Sequence, residues 1–169
     1  MITLEPLKQW ICDTCGELIA KTEDGWVEWT QDGSGRHSFR LVHHVSASPR
    51  AEPSRFHSGG CYGHSANRDH HLRTFLGELG MVKMLSLLDA GSLHMPEYRQ
   101  QVADVRSWVD TFRRLFCPYY EEARQYFGRL TNGHDINSVH DYLGGANEVL
   151  TYEPQFLRDM CEHYRRLDG

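Results

Sequence analysis

The chain has 169 residues, enough to bury one sizeable core, and its formal charge of -5 with a pI near 6.1 offers none of the basic surface that nucleic-acid binders display. Residues 1–10 lack the basic start and apolar run of a signal peptide, and no later apolar stretch approaches bilayer-spanning length, so a soluble, cytoplasmic protein is expected, with no membrane contact. The five cysteines are odd in number, and Cys117 and Cys161 lie far from the other three, which argues against a disulfide framework and fits a reducing compartment.

In chain order, the first informative stretch is Trp10-Ile11-Cys12-Asp13-Thr14-Cys15-Gly16. Two cysteines separated by two residues present both thiolates from one tight turn to a single tetrahedral ion, and the following glycine permits the backbone conformation that aims them. Next come Gly25 to Thr30, the turn residues Asp32 to Gly35, and His37 to Val45. Strand-forming residues on either side of turn chemistry predict a β-hairpin whose second strand ends on His43 and His44. Period-two alternation places Phe39, Leu41 and His43 on one face and Arg40, Val42 and His44 on the other, so an inward apolar face carries His43 toward the cysteines. Ser46 to Gly60, with Pro49, Pro53 and a Gly-Gly, reads as an irregular loop closed by the metal, so that metal binding and folding of this lobe are coupled. Cys61 and His64 follow. The preferred ligand set is Cys12, Cys15, His43 and Cys61; spacing leaves open His44 in place of His43, and His64 in place of either His43 or Cys61.

A cysteine knuckle, a hairpin, and a ligand pair such as Cys61-x-x-His64 opening a helix resemble the zinc-ribbon and treble-clef class of zinc domains over roughly residues 8 to 70. That resemblance implies a structural zinc ion held by four protein ligands. The chain departs from the commonest pattern in having no second Cys-x-x-Cys, which is why the third and fourth ligands stay open.

From Asn67 the period becomes helical, with Leu72, Phe75, Leu76, Leu79, Val82, Leu85 and Leu88 forming an apolar stripe interrupted by Gly77 and Gly80. This stripe is the expected packing partner of the hairpin. A second helix is expected over Pro96 to Phe116, a third over Tyr119 to Phe127, a short one from Asn137 to Leu143, and a last one from Glu153 or Pro154 to Leu167 with Phe156, Leu157, Met160, Cys161 and Tyr164 on its buried side. Arg113-Arg114 and Arg165-Arg166 read as solvated helix faces. The fold class is α+β: a zinc-bearing β-hairpin lobe (residues 1–66) packed on a mostly helical region (residues 67–169), together expected as one continuous domain.

Two catalytic readings compete with structural zinc. His43-His44 on a strand, Asn67, and His70-His71 at a helix start are similar to the histidine-asparagine-histidine arrangement of ββα-metal nucleases, which implies His43 or His44 as general base, Asn67 orienting the loop, and His71 as metal ligand. Cys61 beside His57 or His64 would be a thiolate-imidazole pair. His134, Asp135, His140 and Asp141 form a further polar cluster, read as surface. No zinc-protease helix motif, phosphate-binding glycine loop or nucleophile-elbow serine is present. The expectation is a zinc-binding interaction or regulatory protein with no catalysis, whose partner is an unidentified macromolecule, protein rather than nucleic acid.

Overall fold

A computed structural model describes residues 1–50, 60–62, 68–88, 101–131 and 152–169. They fall into two compact units, one of residues Lys8–Phe116 and one of Met1–Leu7 with Cys117–Gly169. Strands and helices both contribute, and the class is α+β. No helix among the described residues is long and apolar enough to cross a membrane.

The Lys8–Phe116 unit begins with a small antiparallel pair, β1 (Trp10–Ile11) and β2 (Leu18–Ile19), with Trp10 opposite Ile19. The cysteine turn is the connection between them. The expected hairpin follows as β3 (Gly25–Asp32) and β4 (Gly35–His43), with Val27 opposite Leu41 and Glu28 opposite Arg40. At its tip the Ser34 amide and hydroxyl both donate to Asp32 Oδ1, at 2.8 and 2.7 Å. Gly35 at φ 118° is required there: a Cβ would sit 2.5 Å from the Gln101 carbonyl oxygen.

The sequence reading placed residues 68–71 at the start of a helix. They form β5 (Arg68–His71) instead, antiparallel to β3 with Trp26 opposite His71 and Glu28 opposite Asp69, so the sheet order is β4-β3-β5. The hairpin left the outer edge of β3 unpaired, and a strand there satisfies its backbone groups. A 3-10 turn, Leu72–Phe75, then leads into α1 (Gly77–Leu88).

The apolar stripe expected on α1 is also corrected. Leu72 and Phe75 are buried, whereas Leu79 is 84 % exposed and Val82 and Leu85 face solvent. The inward side is set by Gly80 and Met84, because Gly80 packs so closely on Phe75 that a Cβ would lie 2.1 Å from its carbonyl carbon. A side chain can be apolar and on helical period, yet backbone contact dictates which face turns in. Leu79→Gln should therefore change stability by no more than about 0.5 kcal/mol, while Phe75→Ala should cost about 3–5 kcal/mol; urea denaturation separates the two.

The second expected helix starts later than its period suggests. Residues 101–104 are not helical; Val102 bridges to Arg36 in β4, and α2 runs Val105–Phe116. Asp104 terminates it, its carboxylate accepting the Ser107 amide at 3.1 Å. Helix α2, rather than the Leu72–Leu88 stripe, lies along β4: Phe39 N–H donates to Ser107 Oγ at 3.2 Å. Trp108 joins α2 to α1 through an indole N–H donated to the Met84 carbonyl at 3.2 Å. The core of this unit is Trp10, Ile19, Val27, Trp29, Phe39, Leu41, Leu72, Phe75, Met84, Trp108 and Leu115.

In the other unit, α3 (Tyr120–Ala123), a 3-10 turn (Arg124–Tyr126) and α4 (Phe127–Thr131) continue one another, and α5 (Pro154–Asp168) matches the last expected helix. Leu157, Met160, Cys161 and Tyr164 of α5 are buried with Tyr120, Ala123 and Tyr126, as expected, and Phe156 is partly buried against them. The N-terminal strand of chain is tied in by Gln125, which accepts the Ile2 amide at 2.9 Å and donates to its carbonyl at 2.8 Å. The short helix expected from Asn137 and the His134, Asp135, His140, Asp141 cluster lie outside the described residues, as does the start of the second helix at Pro96.

Candidate metal centre

The turn between β1 and β2 is shaped by its own backbone. Gly16 N–H donates to the Cys12 carbonyl at 2.9 Å, Cys12 N–H donates to the Glu17 carbonyl at 2.9 Å, and Gly16 adopts φ 77° to close the turn. Both cysteine side chains thereby point away from the knuckle toward the end of β4. Asp13, between them, fastens the knuckle to the hairpin: its N–H donates to the Leu41 carbonyl at 2.8 Å and its Oδ2 accepts the Leu41 N–H at 2.7 Å.

His43 ends β4 and is buried, as the alternation requires. Its Nε2 lies 3.1 Å from the Leu18 carbonyl oxygen, and a carbonyl only accepts, so the ring proton sits on Nε2. That leaves the Nδ1 lone pair facing Cys15 Sγ at 3.4 Å. Cys61 is brought in across the loop by Ser48, whose hydroxyl accepts the Cys61 N–H at 2.9 Å and donates to Cys61 Sγ at 3.1 Å. Thr14 Oγ1 donates to the Cys61 carbonyl at 2.7 Å, joining the fourth residue to the knuckle.

The ligand atoms of Cys12, Cys15, His43 and Cys61 all lie within 4.8 Å of one another. A tetrahedral ion bound at ordinary metal–sulfur and metal–nitrogen lengths needs ligand separations of about 3.5–3.8 Å, so the set closes on an ion with shifts of about 1 Å or less. The four residues can hold a metal ion. His44 points elsewhere, and His64 and His57 lie outside the described residues.

Burial pushes the Cys15 thiol up to about 12, with only the Glu17 amide acting to lower it, and burial likewise raises Cys61 against the Ser48 hydroxyl bond. Burial thus works against the thiolate form of Cys15 and Cys61. A bound cation would supply the charge that holds them as thiolates, which is the chemistry the donor set calls for. All five cysteines are free thiols.

The His43 orientation is held by the Leu18 carbonyl and the Cys61 position by Ser48, so both would act on a bound ion through a ligand. Ser48→Ala is expected to lower metal affinity about 10- to 100-fold without removing a ligand, measured by competition with a chromogenic chelator.

Sequence reasoning missed the deepest support of this site. Arg114 of α2 is 1 % exposed, so half of the Arg113-Arg114 pair is no solvated face. Its guanidinium donates to Asp13 Oδ2 at 2.5 Å and to the Ile11 carbonyl at 2.6 Å, while its own carbonyl accepts the Trp10 indole N–H at 3.1 Å. The apolar period of Val102, Val105, Val109, Phe112 and Phe116 gave no signal of it, because Arg114 lies on the other side of α2, with the buried Trp108, Thr111 and Leu115, while Val105 is exposed.

Of the residues in the nuclease reading, Asn67 lies outside the described residues, and His44 and His71 form a different assembly. His44 and His71 stack with ring centroids 5.3 Å apart, and Trp26 packs edge-on against both. Trp26 Nε1–H donates to His71 Nδ1 at 3.0 Å. Because the indole only donates, neutral His71 carries its proton on Nε2, and neither ring nitrogen keeps a lone pair for a metal. His71 also lies on a strand. Beside it, Tyr62 O–H donates to Asp69 Oδ2 at 3.0 Å, and burial followed by that bond raises the phenol to about 12. Glu28, fully buried on the middle strand, pairs with Arg40 at 2.5 Å.

A chain of contacts at the hairpin tip has the residue types of a hydrolytic triad. His37 Nδ1 lies 3.0 Å from Ser38 Oγ and His37 Nε2 lies 3.0 Å from Asp32 Oδ2, with Ser38 at φ 57°. Yet the Ser38 amide helps hold down the Asp104 carboxyl and the Phe39 amide is given to Ser107 Oγ, so neither amide is available to an oxyanion. The arrangement ties β4 to the start of α2 at a register irregularity.

No family model matches the chain, and no curated protein or solved structure matches it either. What the fold and site define is an α+β protein with a Cys3His cluster able to bind a metal ion.

Proposed function

We infer that the Cys3His cluster holds a structural zinc ion and that the protein is a non-enzymatic interaction or regulatory protein of the cytoplasm. The carrying observation is the convergence of three thiols and a histidine of defined tautomer within 4.8 Å, from the knuckle, the end of β4 and residue 61. Thiolate-rich, imidazole-containing tetrahedral sets favour zinc, and four protein ligands leave no position for a catalytic water. The zinc-ribbon and treble-clef resemblance is the corresponding architectural reading. The ion joins segments that are 46 residues apart in number between Cys15 and Cys61, and in doing so orders the surface through which a macromolecular partner is met. With a formal charge of -5, that partner is a protein rather than a nucleic acid.

Elemental analysis of protein purified without added metal tests the assignment. One zinc per chain is expected. A folded chain with no metal, or with a stoichiometric metal other than zinc, overturns it.

A further inference from the structure

The three thiols of the metal cluster are not equivalent. Cys12 and Cys61 are buried at 1 % and 0 % exposure, whereas Cys15 is half-buried. Cys61 Sγ also receives the Ser48 hydroxyl at 3.1 Å, while the hydrogen bond Cys15 Sγ receives from the backbone, from Glu17 N–H, is long at 3.5 Å. A hydrogen bond to a metal-bound thiolate withdraws electron density and lowers its nucleophilicity, and burial blocks approach. Burial sets Cys15 apart from both other thiols, and the Ser48 hydrogen bond sets it apart further from Cys61, so Cys15 is the reactive sulfur.

Cys12 stands ready to complete the reaction. It is three residues away on the same knuckle, and its sulfur lies within 4.8 Å of the Cys15 sulfur, so a bond between them needs movement of the turn alone. Cys61, in contrast, is fixed to Ser48 and Thr14 from another segment. From this asymmetry we propose that the metal centre is a peroxide-responsive switch, opened at Cys15 and closed as a Cys12–Cys15 disulfide with release of the ion. The proposal rests on the metal reading above and adds a regulatory use of the same site.

The step balances with hydrogen peroxide as oxidant. Cys15 thiolate attacks the peroxide oxygen; the S–O bond forms, the O–O bond breaks, and hydroxide leaves. Cys12 thiolate then attacks the sulfenic sulfur; the S–S bond forms, the S–O bond breaks, and a second hydroxide leaves. Two electrons pass from the thiolate pair to the peroxide, and two protons from solvent turn the hydroxides into water. The ion, left with His43 and Cys61, dissociates. Asp13 lies between the two reacting cysteines and carries the Arg114 contact, so the disulfide also disturbs the seat of α2.

The test treats the zinc-loaded full-length protein with hydrogen peroxide and follows zinc release with a chromogenic chelator while peptide mapping assigns each cysteine. Release of one zinc per Cys12–Cys15 disulfide, reversed by a dithiol and added zinc, is expected. Cys15→His keeps four ligands and removes the reactive sulfur, and its release should be about tenfold slower or more. If that variant does not load zinc, trapping the wild-type protein with an alkylating agent decides instead: Cys15 must be modified before Cys12 and Cys61. Release with Cys61 oxidised first, or zinc retained while Cys15 stays reduced, overturns the switch and leaves the metal reading intact. Protein that carries no zinc fails the metal reading. In that case Cys15 reacting no faster than Cys61 in the metal-free chain counts against the switch as well.

Discussion

Cys12→Ser is expected to abolish metal binding and unfold the Lys8–Phe116 unit rather than merely weaken it. A structural zinc site contributes on the order of 10–16 kcal/mol to folding of small metal domains, as large as the whole stability of an ordinary domain at about 5–15 kcal/mol. Cys12 is 1 % exposed and packs with the core around Trp10 and Ile19, so its loss reaches beyond the ion. Excess chelator on the wild-type chain should reproduce the effect. The readouts are zinc per chain, the melting temperature, and fluorescence of Trp10, Trp26, Trp29 and Trp108, all of which lie in this unit. A Cys12→Ser protein with wild-type melting temperature would remove the cluster from its organising place.

Arg114→Ala should cost about 3–5 kcal/mol, because removing one partner of a buried pair strands the other charge. Asp13 is only 18 % exposed and keeps the Leu41 amide as acceptor after the substitution, yet loses its countercharge. The Ile11 carbonyl loses the Arg114 donor as well. On the scale of a domain of this size the shift in melting temperature is on the order of 10–20 °C. The position of Asp13 inside the cysteine turn makes a second readout available: metal affinity should fall together with stability. Combining Arg114→Ala with Asp13→Asn should cost clearly less than the two single losses added together, since the stranded carboxylate is gone. Additive losses would mean that the ion pair does not couple α2 to the knuckle.

How much of the molecule was readable before its fold was known depends on the range of the interaction. The cysteine turn, the hairpin and its Asp32 to Gly35 tip are local: a few adjacent residues carry the conformational signal, and the structure has them where the sequence places them. Alternation with Phe39 and Leu41 favoured His43 as the inward histidine, while spacing left His44 open until the structure buried His43 beside the cysteines. The final helix was similarly plain, with proline in its first turn and a clean apolar face.

Two of the misread elements depend on contacts between distant segments, and the third on a close backbone contact at its own start. Arg68 to His71 carries a polar, histidine-rich sequence with little strand preference, and only the open edge of β3 makes it a strand. The stripe of α1 has a sound helical period, but the packing of Gly80 on Phe75 turns the small residue in and Leu79 out. Residues 101–104 continue the period of α2, yet their backbone is taken by Arg36 of the hairpin: Arg36 N–H donates to the Gln101 carbonyl at 2.9 Å.

The same distinction holds within the metal centre. The sequence by itself determined which atoms can bind an ion, since thiol and imidazole chemistry and the two-residue spacing are properties of the chain. Only the tertiary structure decided that Nδ1 of His43 is the donor atom, that Cys61 meets the knuckle through Ser48 and Thr14, and that Arg114 stands beneath it all. The physical reason is that hydrogen bonds and ion pairs across 13 to 101 residues leave no mark on local periodicity.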